Sequence, residues 1–254
     1  MNDWPHPFRF LPVADSTNAV LKDLVRQGRF VPGAVAAREQ TAGRGRGNNT
    51  WQSPPGGLYL SIALPLDDAG ALPLVGPSIA CAVAGWLRAR FGVDVRIKWP
   101  NDWLAGGRKL GGMLLERVRD PQGRTVVIAG IGLNAFLVPR VPDRIVFPPT
   151  ALVEWADLSG EEPECLCREL CAVVAPVASL TPANGPDLRQ SLVQWSATLG
   201  QVVTVSLPSG GRIFGTAEDL APDFSLCIRT DKGIVRVQAG DCCHGSPGDR
   251  EVPQ

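Results

Sequence analysis

No surplus of charge marks this chain: 25 lysines and arginines stand against 25 aspartates and glutamates. Nothing in that balance points to nucleic acid or an anionic membrane as principal partner, so any anion site has to be local. No secretory signal is recognisable in MNDWPHPFRFLPVADSTN, where Asp3, Pro5 and Pro7 interrupt any apolar run, and a cytoplasmic location is the default expectation. No apolar run reaches the roughly 20 residues that span a bilayer. The longest, Leu72 to Leu87, is interrupted by Pro73 and Pro77 and reads as a buried helix.

Metal-ligand spacing is also missing. The seven cysteines include no C-x-x-C pair, and Cys165/Cys167 and Cys242/Cys243 have only two histidines in the whole chain to join them. An odd cysteine count without an export signal argues for reduced thiols, best explained as small buried hydrophobes, and no tightly bound structural metal is expected. There is no internal repeat or low-complexity block. Too few residues precede Asp15 for a helix-turn-helix module, which argues against a direct role on DNA.

What is present suits one large domain, or a main domain with a small appendage: 254 residues, 44% hydrophobic and 20% charged. DSTNAVLKDLVRQG has N-cap candidates at Asp15, Ser16 and Thr17, apolar residues at Val20, Leu21, Leu24 and Val25, and a stop at Gly28, the pattern of an amphipathic helix. Strands are predicted in GAVAARE, GGLYLSIALPL, GVDVRIKWP, KLGGMLLERV and RTVVIAGIGLNAF, with the buried helix near residues 74–91 between the second and third. The segment from Phe147 to Leu180 carries two helical patterns, and GPDLRQSLVQWSATLG carries another. Beyond Gly200 short β-rich runs separated by Ser-Gly-Gly, Ala-Pro-Asp and Asp-Lys-Gly turns predict four or five strands of a small barrel. From Gly245 the chain is polar and rich in proline and glycine, an expected frayed end.

Four stretches place polar groups at the edge of apolar elements: DSTN (Asp15 to Asn18), EQTAGRGRGNNTW (Glu39 to Trp51), KWPND (Lys98 to Asp102) and KLGGMLLE (Lys109 to Glu116). The second sets Arg44 and Arg46 between glycines. Such a loop lets backbone N–H groups approach a ligand, while arginine offers a planar fork of donors to carboxylate or phosphate. With GIGLN (Gly130 to Asn134), the set in this order resembles the biotin protein ligase family over roughly residues 10–243. Five motifs together are far more specific than one, and the Trp-Pro-Asn-Asp run and the Gly/Arg loop look like the biotin rather than the lipoate branch.

The resemblance implies an α+β fold: a mixed β-sheet packed with helices, the biotin/lipoate ligase catalytic fold, over residues 10–199. A small C-terminal SH3-like β-barrel over residues 200–243 and a disordered tail over residues 244–254 would follow. It implies the monofunctional form of the enzyme, without an N-terminal DNA-binding domain. Biotin and MgATP would give biotinyl-5′-adenylate, from which a lysine of a biotin carboxyl carrier protein takes the biotinyl group; acetyl-CoA carboxylase or another biotin-dependent carboxylase supplies that partner. DNA and membrane are not expected partners, and the sequence leaves monomer and homodimer open.

The resemblance and the chemistry of the side chains together distribute the roles. Lys109, Arg44 and Arg46 are the catalytic set. Ser16, Thr17, Asn18, Gln40, Arg44, Gly45, Arg46, Lys109, Gly111 and Gly112 would hold biotin. Arg46, Trp51, Asn101, Asp102, Lys109 and Asn134 would hold the nucleotide, with Asp102 as the Mg²⁺ ligand. The chemistry agrees: two anions must meet while charge builds on the α-phosphate, which calls for cations, and Lys109 is followed by Gly111 and Gly112, which leave room against the backbone. A ureido head needs the hydroxyl and amide mixture of Ser16, Thr17, Asn18 and Gln40, although Ser16 and Thr17 also read as a plain helix cap. Asn101 and Asp102 are expected in a turn after Pro100, where oxygen ligands could serve Mg²⁺. Trp51 and Trp99 suit either adenine stacking or core packing. One departure from the family stands at Asn48, where a second glycine is usual; asparagine tolerates positive φ, so the doubt attaches to loop dynamics. A lipoate or octanoate ligase and a non-catalytic biotin-binding regulator are the alternatives, the latter disfavoured by the intact cations.

Overall fold

The computed structural model describes residues 6–29, 32–47, 49–66, 68–140 and 147–245. Asn48 and residues 246–254 lie outside the described residues, as do the expectations attached to them. His244, expected to open a disordered tail, instead ends the last strand opposite Val203, and the Gly245 N–H bonds the Val202 carbonyl at 2.8 Å.

The main sheet is built from β1 (Phe8–Leu11), β2 (Gly33–Ala37), β3 (Gly57–Pro65), β4 (Val95–Lys98), β5 (Asp102–Ala105), β6 (Arg108–Arg119) and β7 (Thr125–Asn134). Its order is β1-β2-β3-β7-β6-β5-β4; β1 and β2 run parallel and the remaining neighbours antiparallel. β3 is a near-continuous apolar run because it is covered on both faces, and every residue from Gly57 to Leu64 is buried.

Helix α1 (Thr17–Arg26) lays Leu21, Leu24 and Val25 on a small cluster of Val35, Ala63, Val118, Val126 and Ile128 from four strands. Each such buried aliphatic side chain contributes on the order of 1.5–3 kcal/mol. Helix α2 (Leu72–Phe91) packs on the larger core with α3 (Pro163–Val174) and α4 (Gly185–Trp195). With 20 residues and a mean hydropathy of 1.3, α2 could cross a membrane by length and composition. Its Val75, Ile79, Val83, Ala84 and Leu87 are instead completely or almost completely buried against the protein, the core-helix role expected from its prolines. It stops at Gly92, whose φ of 68° lets the backbone N–H turn back to the Arg88 carbonyl.

The remaining strands, β8 (Val202–Ser206), β9 (Arg212–Leu220), β10 (Leu226–Thr230), β11 (Gly233–Val237) and β12 (Asp241–His244), form an antiparallel SH3-like barrel in the order β11-β10-β9-β8-β12. It is fastened to the main sheet's end. Trp99 Nε1 donates to the Phe224 carbonyl at 3.3 Å, and Arg189 reaches Asp219 and the Leu220 carbonyl, each at 2.6 Å.

Three local readings differ from the sequence expectation. β1 and β5 were hidden, the first among prolines and the second because it follows β4 after only Trp99, Pro100 and Asn101. Asp102 therefore opens a strand rather than sitting in the turn. The first helical pattern after Phe147 forms only a 3-10 turn, Leu152–Glu154.

Candidate active site

A cavity of about 700 Å³ opens where the start of α1, the Gly/Arg loop, the β4–β5 turn, β6, β7 and the barrel meet. Of the residues assigned from the sequence, Ser16, Thr17, Asn18, Gln40, Arg44, Gly45, Arg46, Trp51, Asn101, Asp102, Lys109, Gly112 and Asn134 all line it. Gly111 does not. A Cβ there would press on the Gly132 carbonyl oxygen at 2.6 Å, so this glycine serves close strand packing rather than a ligand.

One wall is neutral and polar. The Thr17 backbone N–H and hydroxyl both reach Gln40 Oε1, at 2.8 and 3.1 Å, and Gln40 Nε2 donates to Ser53 Oγ at 2.9 Å. Ser61, wholly buried in β3, donates to Asn18 Oδ1 at 2.6 Å and lies 2.8 Å from Thr17 Oγ1. Asn18 Nδ2 in turn donates to Glu116 at 2.8 Å, and Lys22 pairs with the other oxygen of Glu116 at 2.6 Å. Ser16 occupies the N-cap position of α1, but no cap bond comes from its side chain; its backbone N–H is taken by Asp15 Oδ1 at 2.6 Å. The plain-cap reading therefore does not describe these side chains.

The opposite wall is cationic. Asp102 accepts Lys109 Nζ on one oxygen at 2.9 Å and Lys98 Nζ on the other at 3.3 Å. Burial alone would push the Asp102 carboxyl up, but Lys109 and Lys98 together hold it below the usual carboxylate range. Arg46 reaches Asn101 Oδ1 at 3.3 Å and the Gly240 carbonyl at 3.0 Å, so the barrel helps to hold the loop. Burial lowers the Arg46 pKa, and Asp241 and Asp102 oppose that shift. Arg44 is exposed, in a narrow hairpin where its backbone pairs with Thr50 and Gly45 N–H bonds the Asn49 carbonyl at 2.7 Å.

Two further residues set the shape. Asn134 Nδ2 donates to the Thr150 carbonyl at 2.9 Å and the Lys109 carbonyl at 3.3 Å, which anchors the backbone behind Lys109. Trp51 lies over β7, where a Cβ on Gly132 would come within 2.6 Å of its Nε1, and Lys109 Nζ stands 5.3 Å from its ring centroid. Its Nε1 is buried without a hydrogen-bond partner. Trp99 faces the barrel instead. Among the described residues no three His, Cys, Asp or Glu side chains gather as metal ligands. No disulfide joins cysteines among the described residues.

Sequence reasoning gave no role to Ser61, Glu116, Lys22 or Lys98. Ser61 had a signal, a lone small hydroxyl in the apolar run GLYLSIALP. Gly240 and Asp241 had none, since only tertiary folding brings the barrel to the cavity.

A neutral hydrogen-bonding wall facing a cationic one defines a site for a molecule with an amide-like head and an anionic end. The Biotin/lipoate A/B protein ligase family profile matches residues 10–134, and that of the Biotin protein ligase C terminal domain matches residues 198–245. A biotin--[acetyl-CoA-carboxylase] ligase of Mycobacterium tuberculosis is 33% identical over 237 residues, covering 90% of this chain and 85% of the relative. One from Paracoccus denitrificans is 38% identical over 241 residues, covering 91% and 98%. The structure of the Aquifex aeolicus biotin protein ligase in complex with biotin and ATP superposes with a TM-score of 0.72 at 25% identity, covering 94% of this chain and 98% of that one. The chain belongs to the biotin protein ligase family.

Proposed function

We propose that this protein joins biotin to ATP, supplied as MgATP, and passes the biotinyl group to a lysine of a biotin carboxyl carrier protein domain in the cytoplasm. The biotin carboxylate oxygen attacks the α-phosphorus, the bond to the β-phosphate breaks and pyrophosphate leaves. The carrier's lysine amine then attacks the biotinyl carbonyl, AMP departs, and the amine loses a proton.

The observation that carries this reading is the position of Lys109. Its ammonium shares one cavity with the Thr17, Asn18 and Gln40 wall and with Arg46, so a head held on that wall directs its carboxylate to a cation. Lys109 would lie between carboxylate and α-phosphate and stabilise the charge that develops there. Thr17, Gln40, Asn18 and Ser16 would take the ureido head. Arg44, Gly45 and Arg46 would close over the adenylate, while Asn101, Trp51 and Asn134 frame the nucleotide. Mg²⁺ enters with the nucleotide; Asp102 and Asp241 are the carboxylates lining the cavity, and Asp102 retains lone pairs beyond its two lysine contacts. We assign residues 10–199 to catalysis and 200–243 to the barrel, which supplies Gly240 and Asp241. Incubation with biotin, MgATP and a carrier domain should add one biotinyl mass to one carrier lysine; an unmodified carrier would refute the assignment.

Arg46 gives a separate prediction. Its contacts to Asn101 and Gly240 tie the loop to the β4–β5 turn and to the barrel, and a charge-assisted hydrogen bond contributes roughly 1.5–3 kcal/mol. Arg46→Gly removes that tie and loosens the loop, so biotinyl-adenylate should escape and acylate lysines of an unrelated albumin in the absence of carrier. Streptavidin blotting should show strong albumin labelling by the variant and weak labelling by the wild type. Equal labelling would remove Arg46 from retention of the intermediate.

A further inference from the structure

Glu116 and Lys22 have no part in the proposed reaction and do not line the cavity, yet Glu116 bonds the lining residue Asn18 of the neutral wall from behind at 2.8 Å and Lys22 pairs with Glu116 at 2.6 Å. We propose that Glu116, braced by Lys22, is a positioning residue that fixes the polarity of this wall, so that it presents acceptors to the N–H groups of a cyclic urea. The inference rests on the proposed assignment of the wall to the biotin head.

Groups that can only donate or only accept fix the direction of every bond in this network. Ionised Glu116 accepts only, so the Asn18 atom 2.8 Å away has to be Nδ2, and Oδ1 turns to Ser61. Lys22 and Asn18 hold the Glu116 carboxyl below its ordinary range against the opposing pull of burial, so it stays ionised. Asn18 Oδ1 accepts only, so the single Ser61 proton goes to it, leaving Ser61 Oγ as an acceptor towards Thr17. The Thr17 backbone N–H donates only, which fixes Gln40 Oε1 towards it. The Thr17 hydroxyl proton then has two protein acceptors, Gln40 Oε1 and Ser61 Oγ, at 3.1 and 2.8 Å. Lone pairs of Thr17 Oγ1 and Asn18 Oδ1 are therefore what the wall offers a ligand. Without Glu116, Asn18 Nδ2 has as protein acceptor only the Leu114 carbonyl, at a long 3.5 Å, and the Ser61 hydroxyl, able to donate or to accept, does not fix which end of the amide faces it. A rotated amide would send Nδ2 towards Ser61 and reverse the sequence of donors.

Biotin-dependent exchange of labelled pyrophosphate into ATP, titrated separately in biotin and in ATP, tests this. Glu116→Ala should raise the KM for biotin about tenfold and leave the KM for ATP and the melting temperature close to wild type. Glu116→Gln should recover most of the loss, because its side-chain carbonyl still accepts from Asn18. Ser61→Ala, which removes the donor to Asn18 Oδ1 from the interior, should show the same selective rise and keeps the test open if Glu116→Ala folds poorly. An unchanged KM for biotin in both alanine variants, or equal losses in both substrates, would overturn the inference. So would a glutamine variant as impaired as the alanine one. Absence of biotin-dependent exchange in the wild type would overturn the functional reading itself, and this inference with it.

Discussion

Lys109→Ala should reduce biotin-dependent pyrophosphate exchange by on the order of 10²–10³-fold, the effect of losing one donor at a developing oxyanion. The fold should survive, because Asp102 keeps Lys98 at 3.3 Å and the Lys109 side chain is 30% exposed. The loss should fall on kcat, since an ammonium between carboxylate and α-phosphate binds most strongly when charge accumulates on the phosphoryl oxygens. A variant with unchanged kcat and a raised KM for biotin would place Lys109 as a ground-state contact to the carboxylate only.

Removing the other member of that pair should cost stability as well as activity. Asp102→Ala leaves Lys98, with a side chain only 6% exposed, without its counter-ion, and breaking a buried pair costs on the order of 3–5 kcal/mol. The midpoint of urea unfolding should fall accordingly. A pH series gives the sign. The Asp102 pKa is depressed in the folded protein, so its contribution is fully present above the ordinary value of 3.8 and is lost as pH falls through the depressed one. The gap between wild type and Asp102→Ala should therefore be wide at neutral pH and narrow in strong acid. A gap that stays constant through acid would mean that Asp102 acts by packing rather than by charge.

Much of this site could be read from the chain because its parts are local motifs at the ends of strongly patterned elements. DSTN opens an amphipathic helix, KLGGMLLE runs along a long strand, and the Gly/Arg loop sits between two others. What remained hidden needed partners distant in sequence. Glu116 pairs with Lys22 across 94 residues and Arg46 meets Gly240 across 194, and no spacing rule reaches that far. Gly111 was misassigned for the opposite reason. Two adjacent glycines look equivalent in a sequence, but neighbouring residues of a strand point to opposite faces, and only Gly112 lines the cavity. Asp102 shifted from turn to strand because a hairpin as tight as that of β4 and β5 leaves few residues to announce its second arm.

Exchange of labelled pyrophosphate into ATP by the wild-type protein, with biotin or lipoate as the only acid, shows which acid the cavity activates. A wall polarised to accept N–H groups should support exchange with biotin and little with lipoate, whose dithiolane leaves those buried polar atoms unpaired. Exchange that needs no biotin, or that lipoate supports equally well, would contradict the account.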